Sequence, residues 1–171
     1  MVAEMDEMTN CDDRALRQGF GKLNPTAQDE ALRQAQDKVQ PLVYVMILNG
    51  NDAEITLACL RSVYELDYPN LRVLVVDNGS TDGSDRVIRE AFPQVEFIAN
   101  ERNLGFAGGA NVGLDYARWQ GAVYVFFVNN DTVLDRSLLK ELIRVAEATP
   151  RAGLLTPKIY YYDDPTLVWA A

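Results

Sequence analysis

Val123-Tyr124-Val125-Phe126-Phe127-Val128 is a run of β-branched and aromatic residues without alternation, and Asn129-Asn130-Asp131 follows at once. A strand with one wet face alternates apolar and polar side chains. A strand without alternation is expected to be covered on both faces, at the centre of a parallel sheet with helices above and below. In such sheets ligands bind outside the carboxyl ends of the strands. Asn129 and Asp131 stand at that place. If the backbone stays extended through the tripeptide, the period of two sends both side chains to one face. An amide and a carboxylate would then converge as a divalent cation or a ribose requires. The same tripeptide equally makes an ordinary turn or helix cap, so it acquires meaning only in company.

Other segments supply that company. Pro41 introduces a second doubly buried run, Leu42 to Leu48, which ends in Asn49-Gly50-Asn51-Asp52. Ile55, Cys59, Val63 and Leu66 then recur at helical spacing, up to a stop at Asp67-Tyr68-Pro69-Asn70. Leu71 to Val76 reads as a strand, Asp77 to Ser84 as a turn, Asp85 to Ala91 as a helix and Val95 to Ile98 as a short strand. Asn103-Leu104-Gly105-Phe106-Ala107-Gly108-Gly109-Ala110-Asn111 opens a helix that runs to about Trp119. Ser137 to Ala148 is the last helix, with Leu138, Leu142, Val145 and Ala146 expected inward, and Gly153 to Tyr161 is extended, broken at Pro157. Repeated alternation of strand and helix predicts an α/β fold with a mainly parallel sheet flanked by helices. Right-handed crossovers then bring Asn49 to Asn51, Asp77, the glycine loop and Asp131 to one crevice. Residues 1–40 are polar and poor in large apolar side chains, and read as a partly helical extension. Its helix begins at Asn24-Pro25 and carries a thin stripe of Leu32, Ala35 and Val39. The main domain is residues 41–171.

Composition narrows the chemistry. The 171 residues, 48% of them hydrophobic, suffice for one full-sized core. A net charge of −9 opposes nucleic acid and anionic membrane as partners, and the absence of histidine excludes histidine catalysis and a histidine zinc site. Cys11 and Cys59 make neither a disulfide framework nor a four-cysteine metal site, and Cys59 reads as a buried thiol. Met1 to Asp13 does not read as a secretory signal, and no stretch nears the roughly 20 apolar residues that cross a bilayer. The expected location is cytoplasmic, with peripheral contact to a membrane left open.

Asp77, at the end of its strand, can accept from a base N–H or a ribose hydroxyl, and equally can form an Asx turn. Gly105, Gly108 and Gly109 let backbone approach a ligand at a helix N-terminus, yet match neither the dinucleotide fingerprint nor the P-loop. A diphosphate beside Asp77, Asp82 and Asp131 meets repulsion of a few kcal/mol per close pair, at an effective dielectric of about 20. Mg²⁺ or Mn²⁺ at Asp131 would offset it.

Taken together, Leu48-Asn49-Gly50-Asn51, Tyr68-Pro69-Asn70, Val75 to Ser84, Asn103 to Asn111 and Asn129-Asn130-Asp131 resemble family 2 of the inverting nucleotide-sugar glycosyltransferases, close to its rhamnosyltransferase-like branch. The resemblance covers residues 42–171. It implies the GT-A (Rossmann-like) nucleotide-sugar-binding fold, truncated at the C-terminus relative to the family. It also implies a UDP- or dTDP-linked sugar donor, a glycan or lipid-linked acceptor hydroxyl, and Mg²⁺ or Mn²⁺ at Asp131. By the same resemblance Asn49, Gly50, Asn51 and Asp77 hold the nucleotide base, Asn103 and Gly108 border the donor, and Asn129 touches the ribose or the metal's surroundings. Two positions depart from the family. Gly50 stands where an aromatic residue often covers the base, and Asn129 replaces the first carboxylate of the Asp-x-Asp motif.

The mechanism so implied is a single displacement in which a carboxylate deprotonates the acceptor hydroxyl while the metal stabilises the departing diphosphate. That base is expected beyond residue 171, so the chain is expected to be the donor-binding part and to turn over slowly or not at all alone. Two rival readings are a non-catalytic nucleotide-binding or regulatory module and a response-regulator-like signalling domain. The second requires an acidic pair after the first strand, where Asn49-Gly50-Asn51-Asp52 offers one acid.

Overall fold

The structure, a computed structural model, describes residues 40–170. The helix expected between Thr26 and Val39 lies outside them. Four parallel strands, β1 (Val43–Asn49), β2 (Leu71–Asp77), β3 (Glu96–Ala99) and β4 (Tyr124–Asn129), form one sheet in the order β3-β2-β1-β4. Helices α1 (Ala53–Tyr64), α2 (Ser84–Ala91), α3 (Gly105–Trp119) and α4 (Leu138–Ala148) alternate with them. A short antiparallel pair, β5 (Ile159–Tyr160) and β6 (Val168–Ala170), closes the described chain.

β1 is the strand that is covered on both faces. Val43, Val45 and Ile47 enter one core with Leu57, Cys59, Leu60 and Val63 of α1, Ile88 of α2, and Leu139 and Ile143 of α4. Tyr44 and Met46 enter the opposite core with Leu74 and Val76 of β2 and Ala110 and Ala117 of α3. Every one of these β1 side chains is at most 1% exposed. Burial on that scale stabilises by about 1.5–3 kcal/mol per large aliphatic side chain. Together with β2, β1 explains why apolar runs without polar interruption persist here.

Several expectations change. Among the described residues the run Val123 to Val128 does not sit at the centre: β4 is the last strand of the sheet, and Val123 and Phe127 are 61% and 43% exposed. An unalternating apolar run reports two faces that avoid water, but it carries no information about whether a strand's lateral edge is paired. On α4, Leu139 and Ile143 are the buried residues, whereas Val145, expected inward, is exposed. On α1, Cys59 and Val63 are buried as expected and Ile55 is exposed. The stretch expected as extended from Gly153 contributes only β5, and β6 lies after it.

Candidate functional site at the carboxyl edge of the sheet

All four parallel strands end on one rim. The register pairs Asn49 with Asp77, Leu48 with Asn129, and Asp77 with Ala99. The segments after the strands are therefore neighbours, although they lie far apart in sequence. Strand order reverses between β1 and β4, since the chain steps from β1 through β2 to β3 and then crosses back to β4. In open α/β sheets that reversal point is where ligands bind.

The β2 side of the rim is closed by hydrogen bonds. Asp77 is 3% exposed, and Asn49 is fully buried. Asn49 Nδ2 donates to Asp77 Oδ1 at 2.7 Å, to Ser80 Oγ at 3.1 Å and to Ser84 Oγ at 3.2 Å. Its Oδ1 accepts from Thr56 Oγ1 at 2.6 Å. The Ser80 hydroxyl donates to Asp77 Oδ1, and the Ser80 amide to Asp77 Oδ2 at 3.0 Å. Asn49 and Asp77, both named from sequence, thus meet each other first. Among the described hydrogen bonds Asp77 Oδ2 accepts only one, so it retains acceptor capacity.

The loop after β1 is laced to the loop after β2. Asn51 and Asp52 adopt left-handed backbone, φ 62° and 60°, which Asn and Asp tolerate better than other side chains. The Asn51 amide donates to Ser80 Oγ at 2.8 Å, and Asn51 Oδ1 accepts from the Thr81 amide at 3.0 Å. The Asp52 amide donates to Asp82 Oδ2 at 2.8 Å. Asp82 Oδ1 accepts from the Ser84 amide at 3.0 Å, at the start of α2. The Ser84 hydroxyl, and after it the Asp52 N–H, hold the Asp82 carboxyl below its ordinary value of 3.8. Gly50 is exposed with open space about it. Asp52, the lone acid after β1, caps α1 through the Ile55 amide, so the acidic pair of a signalling domain is not formed.

Asn78, read from sequence only as part of a turn, fastens the glycine loop. Its Nδ2 donates to Asn103 Oδ1 at 3.0 Å and to the Gly105 carbonyl at 3.1 Å. Its Oδ1 accepts from Asn100 Nδ2 and from the Leu104 amide. Gly79, at φ +78°, lies so close to this loop that an added Cβ would stand 2.5 Å from the Arg102 carbonyl carbon. Asn103, just before α3 begins, is exposed, and its Oδ1 accepts from the Gly105 amide at 2.8 Å. Gly108 packs in the first turn of α3 against Leu104. Gly109, expected to let backbone approach a ligand, instead lets α3 approach the sheet: a Cβ there would stand 2.6 Å from Leu48 Cδ1.

The β4 side is different. β4 ends at Asn129, and the chain turns through Asn130 and Asp131, with the Thr132 amide donating to the Asn129 carbonyl at 3.2 Å. The backbone is not extended through the tripeptide, so the period of two does not reach Asp131, and the shared-face expectation for Asn129 and Asp131 loses its premise. Both side chains are exposed. None of the described hydrogen bonds or ion pairs engages the Asp131 carboxylate. Beneath this turn the Cys59 thiol donates to the Asn129 carbonyl at 3.6 Å. Burial first, with a small contribution from the nearby Asp131 charge, pushes that thiol up to about 12, so it stays protonated and inert.

Among the described residues no group of three or more His, Cys, Asp or Glu is arranged to hold a metal. One unengaged carboxylate on an open rim fits a hard cation that takes its other ligands from phosphate oxygens and water. A separate cavity of about 340 Å³, lined by Tyr64, Leu71, Arg72, Val73, Gln94 and Glu96, lies at the amino end of β2, away from the rim.

Residues 43–171 match the model of glycosyl transferase family 2. The chain is similar to N-acetylglucosaminyl-diphospho-decaprenol L-rhamnosyltransferase of Mycobacterium tuberculosis, 30% identical over 71% of this chain and 41% of that protein. It also resembles the mannosyltransferase PcManGT from Pyrobaculum calidifontis, solved in complex with GDP-Man and Mn²⁺: TM-score 0.57, 22% identity, 82% of this chain and 44% of that one. The S. aureus TarS structure in complex with UDP gives a TM-score of 0.54 at 22% identity, over 68% of this chain and 38% of that one. The chain spans between 26% and 40% of the length of the first curated relatives it matches. Among the described residues no helix is long and apolar enough to cross a membrane.

Proposed function

This chain belongs to glycosyl transferase family 2 and has the GT-A fold, and from that premise we propose that its rim is the donor-binding part of an inverting, metal-assisted glycosyltransferase. The observation that carries the reading is the pairing of one closed and one open lip at the sheet's reversal point: Asp77 bonded and buried on one side, Asp131 exposed and unengaged on the other. The donor is a nucleoside-diphosphate sugar, UDP- or dTDP-linked, in line with a relative named for L-rhamnosyl transfer and a structural neighbour that binds UDP. The acceptor is a hydroxyl of a glycan or of a lipid-linked sugar.

Asp77 Oδ2 keeps an acceptor position for a base N–H, and Gly50 and Asn51 form the outer wall of that subsite. Asn49 acts from behind by fixing the carboxylate. Asn103 and Gly108 border the donor at the start of α3, and Asn129 borders its ribose. Asp131 would hold Mg²⁺ or Mn²⁺, whose chemistry is to neutralise the leaving diphosphate. Asp77, Asp82 and Asp52 already accept hydrogen bonds within the rim, and Asp131 is assigned to the cation. The resemblance to the family implies that the general base lies beyond the Asn129-Asn130-Asp131 motif, and we assign that role to polypeptide outside this sequence. The chain alone then binds donor but transfers sugar slowly or not at all.

Calorimetry with UDP, dTDP and GDP, each with and without Mn²⁺, tests this reading. At least one diphosphate should bind, more tightly with Mn²⁺. Failure of all three to bind in its presence would overturn the proposal.

A further inference from the structure

One unbroken line of hydrogen bonds crosses the rim from its open lip to its closed one. Asn130 Nδ2 donates to Thr56 Oγ1 at 3.1 Å, Thr56 Oγ1 donates to Asn49 Oδ1 at 2.6 Å, and Asn49 Nδ2 donates to Asp77 Oδ1 at 2.7 Å. It passes from the turn after β4, through α1, to the ends of β1 and β2. Its direction is fixed by chemistry. The Asp77 oxygens accept from Ser80 as well, so Asn49 turns its amide nitrogen toward Asp77, which leaves its oxygen facing Thr56. The single Thr56 proton must go to that oxygen, and a hydroxyl lone pair then receives Asn130. Reversing any member would set acceptor against acceptor.

Asn49 and Thr56 are both 0% exposed, so water does not substitute for a missing member. Thr56 is followed on α1 by Leu57, Cys59, Leu60 and Val63, all in the apolar core. A valine would match its shape there. Its hydroxyl is what distinguishes it, and that hydroxyl serves the line.

We infer that Thr56 is a positioning residue that couples the two lips of the donor site, tying the turn that carries Asp131 to the carboxylate of Asp77. Occupancy at one lip then changes affinity at the other, and the coupling is reciprocal. The inference rests on the donor-binding reading, and its test separates the two.

The full 171-residue chain is compared as wild type, Thr56→Val, Thr56→Ser and Asn130→Ala. The last variant changes a partly exposed residue and guards against failure of Thr56→Val to fold. Without any nucleotide, amide hydrogen exchange is followed at Ser80, whose N–H donates to Asp77, and at core amides of β1. Thr56→Val and Asn130→Ala should each speed Ser80 exchange about tenfold, the scale of one buried hydrogen bond, while Thr56→Ser restores it and β1 stays protected. Ser80 exchange unchanged in Asn130→Ala would overturn the coupling. In a second arm UDP, dTDP and GDP are titrated by calorimetry with and without Mn²⁺. The gain in affinity from Mn²⁺ should shrink about tenfold in Thr56→Val and Asn130→Ala but persist in Thr56→Ser. Equal weakening with and without Mn²⁺ would reduce Thr56 to a structural residue. Absence of binding by wild type would sink the donor reading instead, and the exchange arm would still decide the coupling.

Discussion

The two lips of the rim are built on opposite principles. On the β2 side, Asn49, Asp77, Asn78 and Ser84 are buried at 5% exposure or less; Asn49, Asp77 and Asn78 are each held by several side-chain hydrogen bonds, and Ser84 by its hydroxyl and its amide. On the β4 side Asn129 and Asp131 are exposed, and the turn is held by the Thr132 amide and the Cys59 thiol on the Asn129 carbonyl and by Asn130 on Thr56, none of which engages the Asp131 carboxylate. The closed lip is a preformed shape, in which a carboxylate is oriented before any ligand arrives. The open lip presents a carboxylate with its whole acceptor capacity available. A rigid recognition surface belongs with a ligand part of fixed shape, such as a nucleobase, and an unengaged anion belongs with a cation whose other ligands come from outside the protein.

The strongest way to break this contrast is to remove the carboxylate of the closed lip. Asp77→Ala takes away the acceptor of the Ser80 hydroxyl and amide and the shortest of the three contacts of the buried Asn49 Nδ2. Orphaned buried donors of a charge-assisted network should lower stability by about 3 kcal/mol, measured by urea unfolding. A loss below about 1 kcal/mol would mean that the closed lip re-forms around water and is not preformed.

The second substitution sharpens the contrast from the other side. Asp131→Asn removes charge from a carboxylate that none of the described hydrogen bonds or ion pairs engages. Stability should stay within about 0.5 kcal/mol of wild type. The affinity for a nucleoside diphosphate in the presence of Mn²⁺ should fall at least roughly 10–100-fold, the cost known for losing even a supporting partner of a metal ligand. Affinity measured without Mn²⁺ should hardly change. If Asp131→Asn destabilises the fold as Asp77→Ala does, the two lips are alike and the assignment of the cation to Asp131 fails.

Much of this arrangement can be read in the chain, for identifiable reasons. Strand ends are marked in sequence because a doubly buried apolar run must stop where polar residues start, so Asn49, Asp77 and Asn129 fall at their rim positions in the register. Lateral order is not marked, because β1 and β4 carry similar apolar runs and only pairing distinguishes centre from edge. Thr56 and Asn78 are invisible for another reason. A buried threonine on an amphipathic helix and an asparagine in a turn have ordinary local explanations, and only the fold brings Asn130 and Asn103 to them. The glycines are ambiguous in the same way: Gly109 faces Leu48 because α3 must approach the sheet, which a glycine-rich string does not distinguish from ligand contact. The turn at Asn130 shows the limit of period-two reasoning, which ends where the strand ends.

The smallest expected effect lies at the outer margin of the closed lip, where Asp82 joins the loop after β1 to the start of α2. Its oxygens accept from the Asp52 and Ser84 amides, at 2.8 Å and 3.0 Å, and its carboxyl titrates below 3.8 in the fold. A folded value below the unfolded one means that the folded state favours the ionised form. The resulting stability is present above the unfolded value and is lost as pH falls through the folded one. Asp82→Asn, whose amide offers one acceptor atom in place of two, removes that contribution at every pH. The difference in urea midpoint between wild type and Asp82→Asn should therefore be constant above about pH 5 and shrink below about pH 4. Asp135 and Asp164, lowered by Ser137 and Thr166, titrate with the same sign and cancel in the subtraction. Because Asp82 is exposed, added salt should narrow the difference further. A difference that grows on acidification would show that Asp82 is not held as an anion by these donors, and the closed lip would then end at Ser80.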